Sequence, residues 1–237
     1  MRVQTTLILS TVLFSLTSFP IAVRGAEAKA KSDKWEVLFN GKSVDKWRGF
    51  KMNSFPDQSW KVEEGVLKSI RGEHGTDIIT KAKYDNFELE LEWKVTPGAN
   101  SGIMYHVSED FDAPYETGPE MQVLDDHKHP DAKDPKTSAG SLYALIAPKN
   151  TRLKPVGEWN KVRLVVQGSH AEHWLNGVKV VEYELGSDPL NRLIVQSKFK
   201  DMPRFAKEKT GYLDLQHHGD EVWYRKIRVR RPDKGAA

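Results

Sequence analysis

The sequence predicts an all-β protein, built as one sandwich of antiparallel sheets. Short runs rich in Val, Ile, Leu, Trp and Tyr alternate with clusters of Gly, Pro, Asn and Asp, and a helical period is almost absent. Phe87 to Val95 alternates apolar and charged residues without a break, which only a strand can sort onto two faces. Seven Trp, seven Tyr and nine Phe add residues that pack well on a pleated surface. About ten strands in one domain suggest a jelly roll or related sandwich, with a closed barrel as the alternative.

The chain opens on Met1-Arg2 and an apolar stretch from Leu7 to Val23, followed by the small residues Gly25, Ala26 and Ala28. This pattern predicts a signal peptide over residues 1–28, cleaved near 25–28, and hence an exported, periplasmic or extracellular protein. Ser10, Thr11, Ser15, Thr17, Ser18 and Pro20 interrupt the stretch, which is too short for a helical span, so no membrane span is expected after cleavage. Residues 29–34 read as a polar linker, 35–230 as the folded domain and 231–237 as a polar tail. The chain has no cysteine, so an exported domain must fold without disulfides. Roughly 210 residues suffice for one sizeable core.

Within the domain, Trp60-Lys61-Val62 and Val66-Leu67 flank Glu64-Gly65 as a hairpin. Ile103 to Val107, Glu120 to Leu124, Ser141 to Ile146 and Trp159 to Gln167 are further strands. Glu172 to Leu175 and Val178 to Tyr183 flank Asn176-Gly177, a pair suited to the positive φ angles of a type I′ turn. Ser187 to Lys209 contains Pro189 and Pro203 and reads as an irregular excursion with a short helix. Gly211 to Gln216 and Val222 to Val229 close the domain.

The 36 Lys and Arg against 33 Asp and Glu leave a formal charge of +3, scattered along the chain, which argues against a nucleic-acid partner. Nucleophile-elbow, phosphate-loop, dinucleotide and two-histidine zinc motifs are absent from the sequence. Three polar clusters remain. Glu120 and Gln122 share one face of a strand, with Asp125 at its end, and an acid beside an amide suits sugar chemistry; a solvated sheet face is the alternative. Glu88, Glu90 and Glu92 show how ordinary such a face is. Asp125 to Asp131 carries carboxylates and imidazoles that could hold a divalent metal, but without a zinc or EF-hand spacing and with Lys128 in its middle. His217 and His218 follow a strand, where neighbours point oppositely, so one of them at most is expected to face a site. These clusters point to a carbohydrate-directed site on a β sandwich.

Eight motifs occur in an order that is more informative than any one of them. They are Phe39-Asn40-Gly41-Lys42-Ser43 before Trp47, Trp60 to Leu67, Phe87 to Lys94, Asn100-Ser101-Gly102-Ile103, Glu120 to Asp125, Gly157-Glu158-Trp159-Asn160, His173-Trp174-Leu175-Asn176-Gly177 and Leu215-Gln216-His217-His218-Gly219. In this order the chain resembles the 3-keto-disaccharide hydrolase family, once called domain of unknown function 1080 and also described as 3-keto-glucoside lyase and hydratase. The resemblance runs from about Trp35 to Val229 and departs at Pro119, where an aromatic is usual, and at Lys226, where an asparagine is usual.

The resemblance implies a concanavalin-like jelly roll with a ligand groove on its concave face, and the charged face of Phe87 to Val95 becomes a place to look for it. It implies cleavage of 3-keto-glycosides by elimination and hydration, with a small-molecule or oligosaccharide substrate. Glu120 or His218 would move protons. Gln122, Asp125, Asn100 and Ser101 would orient hydroxyls or the ketone. Lys94 or Arg225 would offer positive charge to an enolate, or else pair with Glu92. Tyr105 and Trp93 would be stacking platforms, with burial the stronger reading for Trp93. The competing functions are a noncatalytic carbohydrate-binding module and a conventional endoglycosidase; the latter is disfavoured because Glu120-x-Gln122 lacks a second same-face carboxylate. The oligomeric state is open.

Overall fold

The computed structural model describes residue 1 and residues 34–72 and 75–232. The predicted signal peptide, most of the linker and residues 233–237 of the tail lie outside the described residues. Thirteen strands are described: β1 (Glu36–Phe39), β2 (Trp47–Gly49), β3 (Trp60–Glu63), β4 (Val66–Ser69), β5 (Ile78–Thr80), β6 (Phe87–Val95), β7 (Asn100–Val107), β8 (Glu120–Leu124), β9 (Asn160–Gln167), β10 (His170–Leu175), β11 (Val178–Glu184), β12 (Tyr212–Leu215) and β13 (Val222–Arg230). One α-helix, α1 (Asp188–Val195), sits in the excursion before β12 and is capped by the Ser187 hydroxyl, which accepts the Leu190 N–H at 3.3 Å.

The strands form two antiparallel sheets. The larger runs β11-β10-β9-β6-β13-β4-β3, with β1 also paired to β13; the smaller runs β2-β5-β12-β7-β8. Their inner faces meet in a continuous core that includes Phe87, Leu89, Leu91 and Trp93 of β6, Ile103 and Tyr105 of β7, Met121 and Val123 of β8, and Leu213 and Leu215 of β12. Burying these side chains drives the sheets together, at roughly 1.5–3 kcal/mol for each large one. The β10–β11 hairpin turns at Asn176 and Gly177, whose φ angles of 50° and 83° fit the turn read from their identities.

The outer face of the larger sheet is a charge ladder. Glu88 pairs with Arg163 and Arg230, Glu90 with Lys161 and Arg228, and Glu92 with Arg225 and Lys226. Acidic β6 thus lies between basic β9 and β13, and the face expected to border a groove is instead closed by its own ion pairs. Ser141 to Ile146 forms no strand; Leu142 makes only single bridges to Met121 and Ile146. The smaller sheet differs from the larger because β7 and β8 are buried on both faces. Loops from β7–β8, β8–β9 and β11–β12 cover its second face, and a pocket lies beneath them.

Candidate active site

Strand parity decides which residues reach this pocket. Met121 and Val123 occupy the core, so Glu120 and Gln122 face the other way; on β7, Ile103 and Tyr105 leave Asn100, Gly102 and Met104 on that outer face. On β12, core residues Leu213 and Leu215 leave Asp214 and, just beyond the strand, Gln216. Register aligns the rows: Gly102 opposes Gln122, and Met104 opposes both Glu120 and Asp214. A Cβ at position 102 would overlap the Glu120 carboxyl, so the missing side chain makes the hollow in which that carboxyl rests.

The cavity measures about 500 Å³ and is polar at its floor, with Asp77, Asn100, Glu120, Gln122 and Gln216, and aromatic toward Phe50, Tyr115, Tyr143 and Phe199. Glu120 is 6% exposed. Burial pushes its carboxyl up to about 8; Lys198 opposes the shift, while Asp77 and Asp131 add to it. Asp77 is likewise raised by burial to about 7, against the pull of the His217 N–H, which donates to its Oδ1 at 2.7 Å. Asp214 is fully buried, neither of its oxygens has a hydrogen-bond partner, and burial holds it well above the carboxylate range. Three carboxyls thus favour their neutral forms in one region.

Lys198 also lines the pocket and acts electrostatically on Glu120 and Asp131. It lies 4.2 Å from the Tyr143 ring centroid, and burial lowers its pKa against the attraction of Glu120 and Asp131. The Tyr143 hydroxyl donates to Asp131 Oδ2 at 3.3 Å. Two acceptors complete the floor: Asn100 Oδ1 and Gln122 Oε1 are buried without partners, although Gln122 Nε2 donates to the Thr137 carbonyl at 3.3 Å.

Both histidines line the cavity, in different roles. His217 Nδ1 accepts the N–H groups of Gly75 (3.0 Å) and Gly219 (3.2 Å), so its Nε2–H donates to the Ile70 carbonyl at 2.9 Å. It is a neutral brace for the wall, and burial lowers its pKa. His218 is exposed at the pocket, its ring 6.4 Å from that of His129.

The structure therefore brings together Glu120, Gln122, Asn100 and His218 from the sequence-derived set, and places the rest elsewhere. Ser101 faces the core, donating to the Gln216 carbonyl and bonding Tyr224. Asp125 accepts the N–H groups of Gly98 (2.7 Å) and His127 (2.9 Å) and shapes a turn. Tyr105 is a core residue bonded to His173 and Tyr183, and Trp93 is buried in the same core. Lys94 lies 4.4 Å from the Trp223 ring centroid, and Arg225 is paired with Glu92 at 2.7 Å; both belong to the larger sheet. Parity explains Ser101 and Tyr105, which lie on the core face of β7; Trp93, Lys94 and Arg225 belong to the other sheet, and Asp125 lies past the end of β8. In the proposed metal loop, Asp126 Oδ1 accepts Ala139 N–H and His129 Nδ1 accepts Asp131 N–H. Among the described residues, the group of potential metal ligands that converges is His170, Glu172 and Glu182, outside the pocket and already paired with Lys179.

Asp77, Asp214 and Lys198 were not singled out by sequence. The alternation of Tyr212 to Gln216 does place Asp214 opposite Leu213 and Leu215, and so carried a signal. Lys198 sits in the irregular excursion, where no period exists to aim it.

A non-specific endo-β-1,3(4)-glucanase of family GH16 shares the fold, with a TM-score of 0.50 at 14% identity over 84% of this chain and 92% of that one. The sandwich is thus a concanavalin-like jelly roll. The crystal structure of a candidate glycosyl hydrolase from Parabacteroides distasonis matches with a TM-score of 0.78 and 33% identity, over 84% of this chain and 94% of that one. A Bacteroides thetaiotaomicron protein named 3-keto-disaccharide hydrolase is 38% identical over 229 residues, covering 84% of this chain and 79% of that protein. Residues 34–230 match the family described as the 3-keto-alpha-glucoside-1,2-lyase-like domain, and the chain belongs to that family.

Proposed function

We propose that this chain is a glycoside-cleaving enzyme acting on 3-keto-glycosides by elimination followed by hydration, a net hydrolysis. The observation that carries the reading is Glu120: a buried pocket carboxyl pushed up to about 8, with Lys198 the cation that acts on it.

In such a substrate the ketone at C3 acidifies the hydrogen on C2, and the glycosidic oxygen on C1 lies β to that ketone. A base removes the C2 proton, the electrons pass to the C3 oxygen as an enolate, and their return expels the C1 substituent. Glu120 supplies the proton that the departing oxygen takes, as general acid. Asp77, titrating near neutrality, and His218, exposed at the pocket, are the groups available to take the C2 proton. Lys198, which lines the pocket, offers positive charge to the enolate. Water then adds across C1 and C2, hydroxyl to C1 and proton to C2, giving the free 3-keto-sugar.

A retaining glycosidase keeps one carboxyl ionised as its nucleophile. Here burial pushes Asp77, Glu120 and Asp214 all upward, which suits acid–base work on an activated carbon better than attack at C1. A binding module has no use for such shifts. The direct test incubates the purified protein with a 3-keto-glucoside and with its unoxidised parent. Cleavage confined to the keto sugar and lost in Glu120→Gln is the expected result; cleavage of the parent would indicate a conventional glycosidase, and binding without turnover a module.

A further inference from the structure

Tyr115 is the pocket's exposed aromatic residue, and its ring has no aromatic or cationic partner among the described residues. The other rings there have occupations: Tyr143 lies under Lys198, Phe199 stacks on Phe205 with centroids 3.9 Å apart, and Phe50 packs with Ile79, Met104 and Val107. Tyr115 is 44% exposed, and among the described residues it takes part in no ring contact, cation contact or side-chain hydrogen bond. Leaving a large ring in water at a cavity mouth gives up burial that an ordinary packing role would secure.

The turn presenting it is firmly held. Tyr115 sits in the 3-10 turn Pro114–Glu116, where Glu116 Oε1 accepts the N–H groups of Asp112 and Ala113, each at 2.9 Å, and Gly118 N–H donates to the Pro114 carbonyl at 2.9 Å. Thr117 ties the turn to two neighbours: its hydroxyl accepts Ser108 N–H and its carbonyl accepts Ala206 N–H, both at 2.9 Å. The backbone that carries the ring is thus fixed before a ligand arrives, which lowers the entropic cost of using it.

We infer that Tyr115 is the stacking platform of an aglycone subsite, and that it selects 3-keto-glycosides whose leaving group presents a flat ring face. This rests on the proposed activity, with the keto sugar on the polar floor and its leaving group toward the aromatic side. A sugar ring and an aromatic ring share the required chemistry, since both offer a flat C–H or π face to a tyrosine.

The test compares methyl, phenyl and glucosyl 3-keto-glucosides of one anomeric configuration in the wild type, Tyr115→Ala and Tyr115→Phe. Tyr115→Ala is expected to raise KM roughly three- to tenfold for a ring-bearing aglycone and to leave the methyl glycoside unchanged. Tyr115→Phe keeps the wild-type values, and which ring-bearing substrate responds identifies the natural class. An equal change for the methyl glycoside, no change for any substrate, or a loss in Tyr115→Phe matching that in Tyr115→Ala would overturn the inference. Failure of the wild type to cleave any of the three would instead overturn the proposed activity on which it rests.

Discussion

Glu120 links stability to chemistry, because the environment that keeps it protonated taxes the fold as pH rises. Below its ordinary value of 4.5 the carboxyl is neutral in the folded and unfolded chain alike. Between there and about 8 the folded chain holds a proton that the unfolded chain releases, so stability falls with increasing pH. Glu120→Gln removes this dependence. Chemical denaturation should show the variant gaining on the wild type between pH 5 and pH 8, by on the order of a few kcal/mol. Glu120 and Asp77 together set the activity profile. With Asp77 ionised as base and Glu120 protonated as acid, kcat/KM should follow a bell with limbs near 7 and 8, and Asp77→Asn should lower kcat/KM at least tenfold and remove the acidic limb from the activity that remains. Gly102→Ala tests the hollow under Glu120: it should lower kcat at least tenfold and cost about 1–3 kcal/mol of stability, while circular dichroism stays that of a folded β protein.

At the scale of elements, a single strand face can be either an ion-pair ladder or an active-site wall, and alternation alone does not say which. β6 carries Glu88, Glu90 and Glu92 at every second position, and β8 carries Glu120 and Gln122 at the same spacing. On β6 the cross-strand partners are Arg163, Arg228 and Arg230, which neutralise them; on β8 the partners are Gly102 and Met104, which offer Glu120 no charge. The pairing of distant strands, absent from a local reading, separates the two. Glu88 is the most buried rung, held by two arginines, whereas Glu90 pairs with the more exposed Lys161 and Arg228. Thermal or urea unfolding of Glu88→Gln should show a loss of about 1–2 kcal/mol, and Glu90→Gln less than about 0.5 kcal/mol, with the smaller loss vanishing in high salt. Hairpins were the most legible elements, since Asn176-Gly177 carries its own turn chemistry. The three-residue strands β2 and β5 left too short a period to read, although β5 leads directly from Asp77.

For the molecule as a whole, two sheets supply a rigid core without disulfides, and the site lies on the outer face of the smaller sheet beneath three long connections. The fold class, the acidic strand and the amide acceptors were readable because they follow strand parity. The sense of the groove was not, because it depends on which sheet the connections cross, and Lys198 and Tyr115 arrive on those connections. Elimination through C2 is the claim on which the account turns. The most direct measurement cleaves a 3-keto-glucoside in deuterium oxide and examines C2 of the first-formed 3-keto-sugar by mass spectrometry or NMR, against the background exchange of free product. Elimination and hydration place solvent deuterium at C2 above that background in every turnover; a product whose C2 keeps its original hydrogen would mean direct hydrolysis and would contradict the mechanism.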